Sequence, residues 1–394
     1  MVSMYLDELK TLEQGDFYNK KVILRTDYNV PFTQDGEIAD EYRIKSSLPT
    51  IKKLFKLGAS QVIIASHLGR PKGKTDKRAR LDKIAKKILY LTGKRVEKLD
   101  DCIDVEEIMP TPTEAPIVVL ENLRFHEEEE ENDVEFAEKL ASLGDVYVND
   151  AFAVCHRKHA SVHAITNYLP CYIGLLVEKE LKVFELIEKP DRPFTAIIGG
   201  SKLETKLPLI ENLLGKVDNL LLGGAMIFTF YKAQGYRVGK SLVDKDYLDT
   251  AKRLESTDNL VLPTDFVIAD DKDDPSQRVN VKVGDIPSYT IGLDIGEKTV
   301  KDYCKLLSEA KLVVWNGPMG YVENNKFAQG TLKLLKYLSE QTKAKVIIGG
   351  GDTASLVERK GLRDKFYHVS TGGGASLKLL EGTGLVALDA MLDS

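Results

Sequence analysis

Residues 345–380 read KVIIGGGDTASLVERKGLRDKFYHVSTGGGASLKLL, a stretch built from two similar units. In each, a short apolar run (Val346-Ile347-Ile348, then Tyr367-His368-Val369) meets three glycines and then a helix-forming segment. Gly349, Gly350 and Gly351 form the first triplet, and Gly372, Gly373 and Gly374 the second. Glycine lets the backbone turn sharply and bring its N–H groups close to a ligand. A helix that starts just beyond offers unspent N–H donors and the positive end of its dipole, which suits phosphate. One such triplet alone is more often a tight strand-to-helix turn. Two of them, the first running straight into Asp352 and Thr353, point instead to phosphate. The Asp can hold Mg²⁺ and the Thr hydroxyl can reach a phosphate oxygen. Upstream, GGSKLETK supplies Lys202 and Lys206, four apart and expected on one helix face after a glycine turn, where they could meet phosphate oxygens. A solvated lysine pair is the alternative. The Walker A spacing is absent, yet the sum reads as a protein that handles ATP or ADP.

A second set of chemistry-bearing residues precedes residue 170 and is cationic. Asp27 and Asn29, two apart at the end of a strand, point to the same side or else form an Asx turn before Pro31. His67, Leu68, Gly69 and Arg70 follow another strand on a loop stiffened by Gly69 and Pro71. Arg124 and Arg157 each lie just past a further strand, and five of the six histidines fall in this half. Any one of these is more often a surface or salt-bridge residue. Their repetition at successive strand ends describes a pocket for a small anion.

The elements that must position these groups are strands and helices in alternation. The expected strands are residues 21–25, 61–65, 116–120 and 145–148 in the first half. The second half offers 195–198, 219–222, 259–262 and 312–315. A helical pattern over residues 40–57 carries Arg43 near its start. Pro190 and Pro193 break the chain after a helix over residues 178–188, which places a domain junction there. The later glycine turns, Gly223-Gly224, Gly292-Leu293 and Asn316-Gly317-Pro318 with Glu323 beyond, suit close packing of a flat nucleotide. Residues 290–296 are expected to be a glycine-punctuated connection, and the five glutamates at 127–131 a solvated, acidic helix start. Strands alternating with helices predict parallel, doubly wound sheets.

Composition excludes several classes. The 394 residues suffice for two or three domains, and 43% hydrophobic with 29% charged content is ordinary for a soluble protein. A net charge of −5 gives no basic excess for nucleic acid or an acidic membrane surface. The basic stretch at residues 74–87 lacks interleaved aromatics and reads as a solvated face. Four scattered cysteines suit reduced thiols in a cytoplasm. MVSMYLDELK carries Asp7 and Glu8 and reads as no signal peptide, and no apolar run is long enough to span a membrane.

Taken in order, RTDYNVP, SHLGRPKG, LENLRFH, VNDAF with HRKHAS, EKEL, GGSKLETK, LLGGAM, IGLDIG, VWNGPMG, GGGDTA and STGGGASLKLLEG make the chain resemble the phosphoglycerate kinase family over essentially its whole length. It departs from the family pattern at Tyr28, at residues 80–84 and at Ala153-Val154-Cys155, none of which removes a charged contact residue. The resemblance implies two Rossmann-like α/β domains, each a doubly wound parallel sheet flanked by helices. They would be residues 1–177, binding 3-phosphoglycerate, and 194–380, binding nucleotide, with a hinge helix at 178–193 and the tail 381–394 packed back on the first domain. It also implies reversible, in-line transfer of the ATP γ-phosphoryl group to the carboxylate of 3-phosphoglycerate on domain closure, with Mg²⁺, by a cytoplasmic monomer.

By the same resemblance, Asp27 and Asn29 would hold the glycerate hydroxyl end. His67, Leu68, Gly69, Arg70, Arg124 and Arg157 would surround its phosphate, with Arg43 against the attacking carboxylate. Lys206, Gly223, Gly224, Asn316, Gly350, Gly351 and Thr353 would meet the nucleotide, with the metal on Asp352. Glu323 would bond the ribose, and Gly292, Leu293 and Pro318 would flank the adenine. Lys202 and the helix start at Gly372, Gly373 and Gly374 would meet the phosphoryl group in flight. Two rivals fit less well. A dinucleotide dehydrogenase would use G-x-G-x-x-G, whereas this chain has consecutive glycines. A silent scaffold would be expected to have lost Arg43, Lys202 or Asp352, and all three are present.

Overall fold

A computed structural model describes residues 1–394, and the chain divides into two compact units. The first is Met1–Glu185 together with Gly384–Ser394, and the second is Leu186–Thr383. The division falls inside the helix Leu175–Glu188, which begins three residues before the expected 178.

In the first unit the strands are β1 (Lys21–Arg25), β2 (Gln61–Ala65), β3 (Val96–Lys98), β4 (Ile117–Val119), β5 (Val146–Asn149) and β6 (Cys171–Ile173). They form one parallel sheet in the order β3-β4-β2-β1-β5-β6. Because helices cover both faces, β1, β2 and β4 are apolar runs rather than alternating ones, with Val22, Leu24, Val62, Ile64 and Val119 fully buried. The register sets Arg25 opposite both Ala65 and Asn149, so the segments leaving β1, β2 and β5 start from one edge of the sheet. The helix Tyr42–Lys56 buries Ile44, Ile51 and Leu54 at helical spacing, which leaves Arg43 at its first turn on the same side as the strand ends. The last helix, Val386–Leu392, buries Ala387, Leu388 and Met391. Tyr5 ties it down, since its hydroxyl donates to Asp389 Oδ1 at 2.5 Å and accepts from the Leu385 N–H at 2.8 Å.

In the second unit the strands are β7 (Phe194–Ile198), β8 (Asn219–Leu222), β9 (Leu260–Val261), β10 (Asp265–Ala269), β11 (Val279–Lys282), β12 (Ile291–Ile295), β13 (Leu312–Asn316), β14 (Lys345–Gly349) and β15 (His368–Val369). Six of them make a parallel sheet in the order β15-β14-β13-β7-β8-β9. Its core holds the fully buried Trp315, Val313, Leu221 and Ile348. The other three form a small antiparallel sheet, β11-β10-β12.

Three sequence expectations need correction, and two short strands escaped the reading. Residues 290–296 are not a connection but contain β12, where Gly292 and a buried Asp294 interrupt the apolar pattern that would have marked a strand. The three-residue strands β3 and β6 were too short to read from periodicity, and β3 is VEK. Lys202 and Lys206 do not share a helix, because Pro208 holds the first turn and the helix runs Leu207–Leu214, with Lys206 as its N-cap. Among the five glutamates of the helix Glu127–Glu131, Glu129 is fully buried rather than solvated, because it faces the buried side chain of Arg25.

Candidate functional site

The edge of the first sheet where β1, β2 and β5 end gathers cations. Asp27 lies just past β1; its Oδ1 accepts from the Asn29 N–H at 2.9 Å, so the Asx turn does form. Its other oxygen pairs with the Arg43 guanidinium, and His67 Nε2 lies 3.7 Å from Oδ1. Asn29 Oδ1 accepts from the Gly69 N–H at 2.9 Å, which joins the loops after β1 and β2. Asn122 brackets Leu68, accepting from its N–H at 3.2 Å and donating to its carbonyl at 2.7 Å. Arg124 is buried, donates to the Gly69 carbonyl at 2.8 Å and lies 3.3 Å from Glu130. Arg157 is half-buried, and its Nε is buried without a hydrogen-bond partner. Arg70 is exposed at the rim.

The electrostatics show how close these groups stand. Burial pulls His67 well below the ordinary 6.5, and the charges of Arg25, Arg124 and Arg43 lower it further. Burial, with Arg124 and Arg25, brings His159 down to about 3. Burial also lowers Arg124 to about 10. Guanidinium groups crowded around neutral imidazoles, with an unspent Arg157 N–H, suit an incoming anion that relieves the mutual repulsion.

The second unit carries a cavity of about 540 Å³. Gly224, Gly292, Leu293, Pro318, Glu323 and Asp352 all line it, as do Phe228 and Tyr321. An apolar cleft of this size with a few polar groups is the usual form of a nucleotide-sized site. Its floor is made by glycine turns at the ends of β7, β8, β13 and β14. The backbone of Gly199 abuts the carbonyl of Pro318 so closely that a side chain at 199 would collide with it. Gly350 has φ +88°, a conformation that only glycine adopts without strain, and a Cβ there would lie 2.9 Å from Asn316 Nδ2. Lys206 donates from Nζ to Asn316 Oδ1 at 2.7 Å, while Asn316 Nδ2 is buried with its donors unspent. Burial lowers the Lys206 pKa, and the nearby Asp352 charge opposes that shift.

Gly350 is the N-cap of the helix Gly351–Arg359, and Asp352 stands exposed in its first turn. Gly372 is the N-cap of the helix Gly373–Leu380. Thr353 is fully buried, and its hydroxyl accepts from the Gly317 N–H at 3.0 Å, which braces the turn after β13. Gly223 closes the turn after β8, donating to the Ile198 carbonyl at 2.9 Å. Lys202 is exposed on the loop after β7. Burial pushes Asp294, at the back of the cavity, up to about 7, and it accepts from the N–H groups of Gly330 and Ile295 at 2.7 and 2.9 Å.

Within the first unit, then, the structure brings together Asp27, Asn29, Arg43, His67, Leu68, Gly69, Arg124 and Arg157 and leaves Arg70 at the rim. Within the second, the glycine turns, Lys206, Asn316 and Asp352 do so. Sequence reasoning missed Arg25, His159, Ser161 and Glu129, all buried among the cations. Arg25 and His159 lie inside quoted motifs, but a strand-terminal arginine reads from sequence as exposed. Phe228, Lys240 and Tyr321 were also missed in the cavity lining, since nothing in a local pattern marks them.

Comparison with known proteins gives one answer. The family model described as phosphoglycerate kinase matches residues 12–383. A phosphoglycerate kinase of Thermosynechococcus vestitus is 49% identical over 394 residues, 97% of this chain and 98% of that protein. One from Trichodesmium erythraeum is 48% identical over 392 residues, 96% of this chain and 98% of its own. Among solved structures, the phosphoglycerate kinase of Coxiella burnetii superposes with a TM-score of 0.86 at 36% identity, covering 98% of this chain and 99% of that one. The enzyme from Pyrococcus horikoshii gives 0.82 at 31% identity, with 97% and 98% covered.

Proposed function

This chain belongs to the phosphoglycerate kinase family, and from that premise we propose which of its residues carry each part of the reaction. The enzyme moves the γ-phosphoryl group of ATP reversibly to the carboxylate of 3-phosphoglycerate, giving ADP and 1,3-bisphosphoglycerate, a step of glycolysis. The acceptor brings its own nucleophile, so the protein supplies position and charge rather than an attacking side chain.

In the first unit, His67, Arg70, Arg124 and Arg157 bind the phosphate of 3-phosphoglycerate, with the backbone at Leu68 and Gly69 beside it. Asp27 and Asn29 take the hydroxyl end, and Arg43 faces the carboxylate. The observation that carries this reading is the cluster of arginines around neutral histidines, with the Arg157 Nε unspent. In the second unit the cavity takes the nucleotide, its base between Gly292, Leu293 and Pro318 and its ribose at Glu323. Lys206, Asn316 and the glycine turns at Gly223, Gly224, Gly350 and Gly351 face the phosphates, with Thr353 supporting them. Lys202 and the helix start at Gly372, Gly373 and Gly374 stabilise the charge that develops on the transferring group.

Mg²⁺ fits the donor set. Asp352 offers an exposed carboxylate engaged in no hydrogen bond or ion pair, at a place where Lys206 feels its charge. A hard oxygen donor of this kind is the sort Mg²⁺ accepts, and the ion supplies charge neutralisation of the nucleotide phosphates. Residues 1–185 and 186–383 between them hold both ligand sets on one chain, which supports a monomer. The four cysteines are free and no helix is long and apolar enough to cross a membrane, which supports a cytoplasmic setting.

The direct test is ADP release from MgATP with and without 3-phosphoglycerate. Turnover should require the acid, and nucleotide hydrolysis that is indifferent to it would overturn the assignment.

A further inference from the structure

Of the five glutamates at 127–131, only Glu129 is buried, and it is fully so. It accepts two hydrogen bonds from Ser161, the hydroxyl to Oε1 at 2.7 Å and the N–H to Oε2 at 2.9 Å. Oε1 also lies 3.6 Å from Arg25 Nη2 and 3.8 Å from His159 Nδ1. Ser161 Oγ is shared, for it accepts from Arg25 Nε at 2.7 Å while donating to Glu129. The Arg25 Nη1 donates to the Thr26 carbonyl. Arg25 is thus held at all three of its guanidinium nitrogens, and Nη2 also faces His67 Nδ1 at 3.5 Å.

A guanidinium has only donors. His67 Nδ1 opposite it must therefore be the bare, accepting nitrogen. The one ring proton is then on Nε2, the nitrogen that faces Asp27 Oδ1 at 3.7 Å. Arg124, Arg43 and His159 surround the ring as well and oppose a second proton, while Asp27 is the anion that faces it. The orientation of this one donor depends on where Arg25 is held, and Glu129 and Ser161 hold it.

We propose that Glu129 is a positioning residue: with Ser161 it clamps Arg25 against His67 Nδ1, so that His67 presents Nε2–H to the substrate phosphate. The proposal rests on the reading of this cluster as the 3-phosphoglycerate site. It deepens that reading, because it gives a buried carboxylate a task in the middle of an anion pocket, where a bare negative charge would otherwise weaken binding.

The test uses the full chain with ¹⁵N-labelled histidine. Long-range ¹H–¹⁵N correlation at neutral pH should show His67 with a bare Nδ1 and a protonated Nε2. Glu129→Gln keeps the shape but removes the charge. It should mix the His67 tautomers and raise KM for 3-phosphoglycerate about tenfold, the scale of one charge-assisted hydrogen bond. The kcat and the KM for ATP should stay within about twofold. Glu131→Gln, on the exposed face of the same helix, should match the wild type in every readout. If Glu129→Gln does not fold, Ser161→Ala removes the shared hydroxyl and should give the same shift. A wild-type proton on Nδ1, or a tautomer unchanged in both variants, overturns the proposal; so does a raised KM without any tautomer change. Arg157→Ala separates the two levels. If it leaves KM for 3-phosphoglycerate unchanged, the site reading itself fails. If it raises that KM while Glu129→Gln does not disturb His67, only the positioning role fails.

Discussion

Replacing Arg157 with alanine should separate ligand binding from folding more cleanly than any other change in the first unit. Its Nε is buried without a partner, and its guanidinium makes no ion pair with any carboxylate of the chain. Truncation therefore strands no protein acceptor, and it relieves repulsion that Arg157 exerts on Arg124 and His159. The folded state should lose no more than about 0.5 kcal/mol, the usual range for a side chain without structural partners. The ligand loses one hydrogen bond between charged groups, about 1.5–3 kcal/mol, which is roughly 10- to 150-fold in dissociation constant. Arg124→Ala is the informative contrast, since that residue also holds the Gly69 carbonyl and Glu130 and should lower the melting temperature as well. Calorimetric titration with 3-phosphoglycerate, set beside thermal melts of the free proteins, measures both quantities. A change in affinity under about twofold would show that Arg157 does not hold the ligand, and a melting temperature that falls as far as that of Arg124→Ala would show that it supports the fold.

Arg43→Ala should lower kcat by about 100-fold or more with a smaller change in KM, because its charge is needed most as the phosphoryl group transfers; steady-state kinetics showing the reverse split would remove it from that role. Asp352→Asn should leave metal-free nucleotide binding intact while the activation of turnover by Mg²⁺ collapses, which a Mg²⁺ titration of activity checks. Asp150→Asn should stabilise the protein at pH 8 and not at pH 4. Burial pushes the Asp150 carboxyl up to about 7 from its ordinary 3.8, and its Oδ2 is buried without a hydrogen-bond partner. The native state therefore keeps a proton that the unfolded chain loses above about pH 3.8, and stability falls as pH rises toward about 7. Melts across that window should show a shallower pH dependence in the variant.

Much of this architecture was legible because the apolar runs of a buried parallel sheet are local signals. Val22 to Leu24, Val62 to Ile64 and Val346 to Ile348 announce strands, and the glycines after the third announce a turn into the next helix. Gly350 at φ +88° shows why that pattern was reliable. What was not legible is set by partners distant in sequence. Glu129 looks like its four neighbours until Arg25 and Ser161, 104 and 32 residues away, are brought against it. The antiparallel strand β12 was hidden because Asp294 is buried where an apolar residue would have been expected. The lysine pair was misplaced for a local reason that the sequence did contain, namely that Pro208 fixes the helix start after Lys206.

We propose that the acid is held by residues before 170 and the nucleotide by residues after 195. Amide chemical-shift mapping of the free protein with each ligand alone tests it most directly. 3-Phosphoglycerate should move the amides of Asp27, Asn29, Leu68, Gly69, Arg124 and Arg157, while ADP should move those of Gly200, Gly224, Gly292, Leu293, Gly350 and Asp352. Perturbation of the second set by the acid alone, or of the first set by ADP alone, would contradict the account.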